Sequence, residues 1–396
     1  MEDKLMVTTD EFSEIRPYEA GEMQQAFDDL LGDRQFQLVM KGFAPWLPKS
    51  VRNAALRLAF KGVKTPLDFQ KRFMKPVVKH IIRKKTDGTT FDDSLLKPSL
   101  SSADRYTFVS NHRDIVLDSA FLDVMLVEGG YPTTVEIGIG DNLLIYPWIK
   151  RLVRMNKAFT VRRGLSPKET LRSSLLMSRY IHHAVTEKKE NIWIAQREGR
   201  AKDSDDRTQE AVLKMLAMGS EEQQLVDKLR DLNIVPLTIS YEYDPCDYLK
   251  AQEFQLKRDN PGFKKSRQDD LDNMKTGIFG YKGRVVYRAA APINTWIDEL
   301  KDLPKTEFYA ALSARMDQEI HRGYEIYPNN YVAADELEGS NSFASHYTAA
   351  DKKRFDDYLS AQLGKINLPQ KDEAFLRERM LTMYANPLKN YLKVKA

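Results

Sequence analysis

Between residue 87 and about residue 295, short apolar runs of β-favouring residues alternate with amphipathic helical stretches, and this alternation leaves the chain few ways to fold. Strands are predicted at Tyr106–Ser110, Thr133–Ile139, Ala158–Arg163, Asn191–Gln196, Val235–Tyr241 and Gly283–Ala290. Helices are predicted between them at Ile115–Leu126, Pro147–Met155, Ser166–Val185, Gln209–Met218 and Ser220–Leu232. Parallel strands need a long crossover and a helix supplies it, so the pattern implies an α/β fold with a mostly parallel central sheet flanked by helices. One helix start is strongly signalled: Ser166, Pro167 and Glu169 supply an N-cap, a proline at the first helical position and a capping box.

Helical additions are predicted on both sides of this unit. Residues 1–86 read as a basic helical region, with helices at Glu22–Leu31, Asp33–Lys41, Lys49–Gly62 and Pro66–Lys85. Thr86-Asp87-Gly88 breaks the pattern and sets a boundary, after which residues 87–298 form the α/β unit. Residues 299–396 turn helical again, at Lys305–Arg322, Ala349–Leu363, Lys371–Ala385 and Pro387–Val394, with a polar connector at Glu336–Ser345.

With 42% hydrophobic and 30% charged residues, the composition is that of a soluble globular chain. The one cysteine, Cys246, excludes an internal disulfide and a cysteine-based zinc site and favours a reducing compartment. The first residues, MEDKLMVTTDEF, are acidic and lack an apolar core, so no signal peptide is expected. No run approaches the roughly 18 apolar residues of a membrane-spanning helix. A cytoplasmic location follows as the expectation.

The net charge of +4 conceals a local imbalance. From Lys41 to Lys85 there are thirteen lysines and arginines against a single acid, Asp68. They alternate with Phe43, Trp46, Leu47, Val51, Leu56, Leu58, Phe60, Phe69, Val78 and other apolar residues. Helices of this composition suit an anionic membrane surface, apolar face down and cations on the headgroups, which points to peripheral attachment on the inner face of a membrane. A nucleic-acid surface or a solvated basic rim has the same composition.

Chemistry-bearing residues gather at predicted strand ends. The run Tyr106–Met125, YTFVSNHRDIVLDSAFLDVM, passes from strand to helix at Ser110-Asn111, which places His112 where an α/β sheet opens onto a crevice. Asp114 and Asp118 follow, and a carboxylate on one ring nitrogen fixes the tautomer and keeps the other nitrogen basic enough to accept a hydroxyl proton. Asp114 also suits the first turn of the helix, where a carboxylate meets the positive end of the dipole. A second segment, Ile139-Gly140-Asp141-Asn142-Leu143, is followed by Phe159-Thr160-Val161-Arg162-Arg163, and adjacent arginines at a strand end can bring a guanidinium to phosphate. The third, Ile192-Trp193-Ile194-Ala195-Gln196-Arg197-Glu198-Gly199-Arg200-Ala201-Lys202, brings a glutamate, a close-approach glycine and two cations to the same edge. The fourth is Ile234-Val235-Pro236-Leu237-Thr238-Ile239-Ser240-Tyr241-Glu242, with proline tolerated near the strand start.

Taken in order, NHR with its aspartate, GDNL with AFTVRR, QREGRAK and IVPLTISYE resemble the four blocks of the glycerolipid acyltransferase superfamily, most closely its glycerol-3-phosphate and dihydroxyacetone-phosphate branch. The resemblance spans roughly residues 106 to 245, with order and approximate spacing kept. It implies an O-acyltransferase of phospholipid synthesis, moving a fatty acyl group from acyl-CoA or acyl carrier protein to a small phosphorylated acceptor without a covalent acyl-enzyme. In that reading His112 is the general base and Asp118, or Asp114, its orienting carboxylate. Arg162, Arg163, Arg200 and Lys202 grip the acceptor phosphate, and Glu198 and Gly199 shape its pocket. No bound cofactor, no metal and no nucleic acid is expected.

The match has two departures. Five residues separate His112 from Asp118, one more than in the family, so a local bulge is needed to bring Asp118 back to the ring. The third block reads Glu-Gly-Arg where the family has Glu-Gly-Gly-Arg, which leaves lysophosphatidate or a hydroxylated N-acyl amino acid lipid as alternative acceptors. A metal-dependent hydrolase would need clustered ligands, and His80, His182, His183, His321 and His346 read as structural. There is no G-x-S-x-G elbow, P-loop or dinucleotide fingerprint. The non-enzyme alternative is a membrane or nucleic-acid binder using the basic helices.

Overall fold

The computed structural model describes residues 11–96 and 105–395. Its centre is a seven-stranded sheet: β1 (Thr89–Asp92), β2 (Thr107–Ser110), β3 (Val135–Gly140), β4 (Ala158–Val161), β5 (Asn191–Ala195), β6 (Ile234–Tyr241) and β7 (Val285–Ala289). The spatial order is β1-β7-β6-β2-β5-β3-β4. Every pairing is parallel except β6 with β7, which are antiparallel. The α/β architecture with a mostly parallel, helix-flanked sheet is therefore present.

Alternation along β2 divides the core. Tyr106 and Phe108 pack with the helix Leu117–Glu128, while Val109 joins Ile181, Leu213, Leu312 and Met316 on the opposite face. The helix Leu117–Glu128 is buried from Leu117 through Leu126, which explains why its sequence is apolar on more than one side. Burying each large apolar side chain at positions such as Phe108 and Phe121 contributes about 1.5–3 kcal/mol.

Register sets the working edge. Ser110 is level with Ala195 on one side and Leu237 on the other, and Gly140 is level with Val161. The segments following β2, β3, β4, β5 and β6 thus leave one edge of the sheet together, at the carboxyl ends of its parallel strands.

Several expectations are revised. β1, which pairs with β7 at one edge of the sheet, has no counterpart in the sequence reading. Helices at Asp247–Asp259, Arg267–Phe279 and Pro328–Glu338 were not expected either. The stretch from Ser220 to Leu232 is helical only at Leu225–Arg230. The last two expected helices are one, Glu373–Lys395, running through Pro387. Burial of Met383, Tyr384, Leu388 and Asn390 on either side holds the helix together where proline removes one backbone donor. Within Pro66–Lys85, a π turn at Gln70–Met74 lets the Gln70 amide reach inward, donating to Asp123 Oδ2 at 2.8 Å and accepting from Thr134. The capping box at Ser166 forms as expected, with Ser166 N–H donating to Glu169 Oε2 at 3.0 Å.

The N-terminal helices have their own cluster, in which Phe27 and Phe60 stack at 3.8 Å and Phe36 packs on Trp148 of the helix Pro147–Met155. A further cluster unites Asp247–Asp259, Pro328–Glu338, Ala349–Leu363 and Glu373–Lys395 through Phe355, Leu359, Leu376, Met380 and Tyr384. The helix Lys305–Arg322 belongs to the sheet core instead, through Phe308, Leu312 and Met316. Among the described residues no helix is long and apolar enough to cross a membrane.

Candidate active site

Where β2 ends, Asn111 extends the sheet with its side chain. Its amide donates to the Ile239 carbonyl at 2.9 Å and its carbonyl accepts the Ile239 N–H at 2.8 Å, imitating a backbone pairing with β6. The next residue, His112, is thereby aimed past the sheet edge. Its Nδ1 lies 2.8 Å from Asp118 Oδ2, and the same oxygen accepts the Arg113 backbone N–H at 2.7 Å. Asp118 is fully buried, while the His112 side chain keeps 13% of its surface exposed. Nε2 has no partner among the described residues, and the ring lines a cavity of about 730 Å³. Trp193 meets the imidazole edge to face at 5.5 Å and is itself anchored by its indole N–H on Ser110.

The extra residue between His112 and Asp118 requires no bulge. Helix Leu117–Glu128 begins one residue before Asp118, and the preceding turn absorbs the added length. Asp114, the other candidate partner of His112, is engaged elsewhere. Its Oδ1 accepts the Val116 and Leu117 N–H groups at 2.9 and 2.8 Å, capping the helix. Burial, with the nearby Asp118 charge, raises the Asp114 carboxyl above its usual range.

The cavity also collects the expected cations. Arg162, Arg163, Arg200 and Lys202 all line it, with Glu198 and Gly199. They differ in what holds them. Arg163 Nη1 sits 3.0 Å from Glu198 Oε1, and its backbone N–H is fixed by Asp141 Oδ1 at 3.0 Å, so the GDNL segment braces the end of β4. Arg162 forms an ion pair with Glu14 on the outside of the same strand end. Arg200 donates through Nη2 to Asn273 Oδ1 at 2.8 Å, whereas its Nη1 is buried with no partner among the described residues. Lys202 pairs with Glu253, and burial lowers its ammonium from the ordinary value despite that carboxylate. Gly199 takes a left-handed conformation with φ +69°, which glycine adopts without strain.

Other parts of the site were not foreseen. Lys250, Glu253, Lys265 and Asn273 line the cavity from the helices Asp247–Asp259 and Arg267–Phe279 and the loop between them. Beneath the His112 loop, Asp206 accepts from the Arg113 guanidinium at 2.7 Å, from Asn111 at 3.2 Å and from the Tyr324 hydroxyl at 2.5 Å. No signal in the sequence singled out Asp206, because its partners lie far away along the chain. His182 and His321 bond backbone carbonyls and His346 stacks on Tyr331.

The arrangement can do two things at once. A neutral imidazole donating from Nδ1 to Asp118 presents the lone pair of Nε2 to a hydroxyl in the cavity. Arg163, Arg200 and Lys202 make the same cavity hospitable to an anion, and Arg200 forms no ion pair with a carboxylate among the described residues. Apolar lining from Ile137, Ile139, Leu143, Val161, Met177 and Met215 gives it an oily portion as well. No family model matches the sequence, and no curated protein matches it.

Proposed function

We propose that the chain is an O-acyltransferase that moves a fatty acyl group from acyl-CoA or acyl carrier protein to a hydroxyl of glycerol 3-phosphate or a related phosphorylated acceptor, in phospholipid synthesis at the inner face of a membrane. The observation that carries this reading is the pairing of a His112–Asp118 couple with Arg163, Arg200 and Lys202 around one cavity. The acceptor hydroxyl donates to His112 Nε2. As its oxygen attacks the thioester carbonyl, the proton passes to the ring and the Asp118 carboxylate stabilises the imidazolium. Collapse of the tetrahedral intermediate breaks the carbon–sulfur bond, and the departing thiolate takes the proton back. A positioned base of this kind is worth roughly a hundred- to ten-thousand-fold in rate.

The cations serve the acceptor phosphate, with Arg200 foremost because, unlike Arg163 and Lys202, it forms no ion pair with a carboxylate among the described residues. The apolar lining serves the acyl chain and equally accommodates a lipid acceptor such as lysophosphatidate or a hydroxylated N-acyl amino acid. Thiol release from acyl-CoA and acyl carrier protein, measured with glycerol 3-phosphate, dihydroxyacetone phosphate, lysophosphatidate and N-acyl amino acids, separates these acceptors. Acceptor-dependent release supports the reading, and absence of release with every pairing refutes it.

A further inference from the structure

The helices Arg34–Phe43 and Lys49–Phe60 send their apolar residues in two directions. Phe36 and Phe60 enter the N-terminal cluster. Val51, Ala54, Ala55, Leu58 and Ala59 face solvent instead, and their three- and four-residue steps place them on one stripe of the second helix. Leu38, Val39 and Trp46, from the first helix and the connecting loop, are exposed with them; Trp46 is 75% and Leu58 72% exposed. Five of the twelve large apolar side chains exposed among the described residues lie on this hairpin. Scattered exposed leucines need no explanation, but a helix with a solvent-facing apolar stripe does.

The hairpin's own charges have one sign, and among them Arg57 is paired with Asp28 of the helix Met23–Gly32 at 2.6 Å. No aspartate or glutamate occurs between Arg34 and Leu67. Arg34, Lys41, Lys49, Lys61 and Lys64 are exposed, and no ion pair to a carboxylate is found for them among the described residues. The following helix behaves differently: Phe69 and Val78 are buried, and Ile81 and Ile82 pack against the sheet core. The outward apolar stripe is therefore a property of the hairpin and not of the whole basic region.

We infer that this hairpin is the docking face for an anionic lipid bilayer: Leu38, Val39, Trp46, Val51 and Leu58 enter the interfacial layer, and the surrounding lysines and arginines meet the headgroups. Three features select lipid as the occupant. The hairpin's exposed cations, Arg57 with Asp28 excepted, have no carboxylate partner among the described residues, an exposed tryptophan prefers the interface between water and hydrocarbon, and an apolar stripe on a basic helix is the pattern that lies in an anionic bilayer surface. The position fits an amphiphilic substrate, since Phe36 of the hairpin packs on Trp148 of a helix that starts shortly after Leu143 of the cavity wall. The inference deepens the membrane part of the proposed function, and its test reads vesicle binding, so the failure of either it or acyl transfer leaves the other standing.

The full chain is floated with vesicles of phosphatidylcholine alone and of phosphatidylcholine mixed with phosphatidylglycerol, over a salt series. Binding to the anionic vesicles, weakened by salt, is expected. Leu58→Asp should lower the affinity by about tenfold or more, as the loss of one buried leucine predicts, while Leu392→Asp, at an exposed site far along the chain, should not. Trp46 emission should shift to the blue on binding, a shift that Trp46→Phe abolishes. Because Leu58 is exposed, unchanged thermal unfolding confirms that the variant is folded. Indifference to anionic vesicles overturns the inference, and so does wild-type binding by Leu58→Asp. Self-association of the chain that Leu58→Asp abolishes, without vesicle binding, would assign the face to a second copy and equally overturn it.

Discussion

Arg113 and Asp206 are bonded at 2.7 Å with both side chains shut away from solvent. The pair joins the loop that bears His112 to the loop that follows Arg200 and Lys202. Burial disfavours the guanidinium charge, but Asp206, together with Tyr324, Asp244 and Asp118, more than compensates, and Arg113 stays above its ordinary value. Asp206→Ala removes the counter-charge and leaves the cation buried alone, a change that costs about 3–5 kcal/mol. Chemical denaturation should show a loss of this size. A loss below about 1 kcal/mol, the scale of an exposed pair, would contradict the structural role given to Asp206.

A pH dependence follows from Asp247, which is fully buried among Tyr384, Gln362 and Tyr248. Burial, then the neighbouring Asp244 charge, pushes its carboxyl up to about 7. The folded chain therefore holds a proton that the unfolded chain releases near the ordinary carboxyl range. Its contribution is complete below that range and is lost as the pH rises through about 7. Asp247→Asn, which stays neutral, should gain on the wild type by about 1 kcal/mol per pH unit across that window. A stability difference that stays flat with pH would show that Asp247 ionises normally in the folded state.

Much of this architecture was legible in the sequence. The strands from β2 to β7 announce themselves by apolar runs closed by turn residues, and the order of the chemical segments brought His112, Arg163, Gly199, Arg200 and Lys202 to one edge. What escaped had a physical reason. The helix Asp247–Asp259 buries Asp247, Lys250, Glu253 and Gln255, a mostly polar face that no hydrophobic periodicity reveals. β1 is four residues long, lies at the sheet edge and ends in aspartate. Arg162 and Arg163 cannot both serve the cavity equally, because neighbours on a strand end diverge, and Arg162 meets Glu14 outside. The choice between Asp114 and Asp118 depended on the turn at residues 113–116, whose shape spacing alone does not determine.

Arg200 offers a sharper test of acceptor recognition than Arg163 or Lys202, because it is held by the neutral Asn273 amide while they pair with Glu198 and Glu253. A hydrogen bond to a charged group is worth about 1.5–3 kcal/mol. Arg200→Ala should therefore raise the KM for a phosphorylated acceptor by roughly ten- to a hundredfold, and Arg200→Lys should recover only part of it. Steady-state kinetics with acceptor varied at fixed donor reads this directly. An unchanged KM would remove Arg200 from the phosphate site.

The central claim is that His112, held by Asp118, deprotonates the acceptor. Its most direct measurement is acceptor-dependent thiol release by His112→Ala beside the wild type, with anionic-vesicle binding and thermal unfolding as controls. The expected result is a rate lowered by roughly a hundred- to ten-thousand-fold, with folding and vesicle binding kept. Turnover by His112→Ala within a few-fold of the wild type would contradict the account.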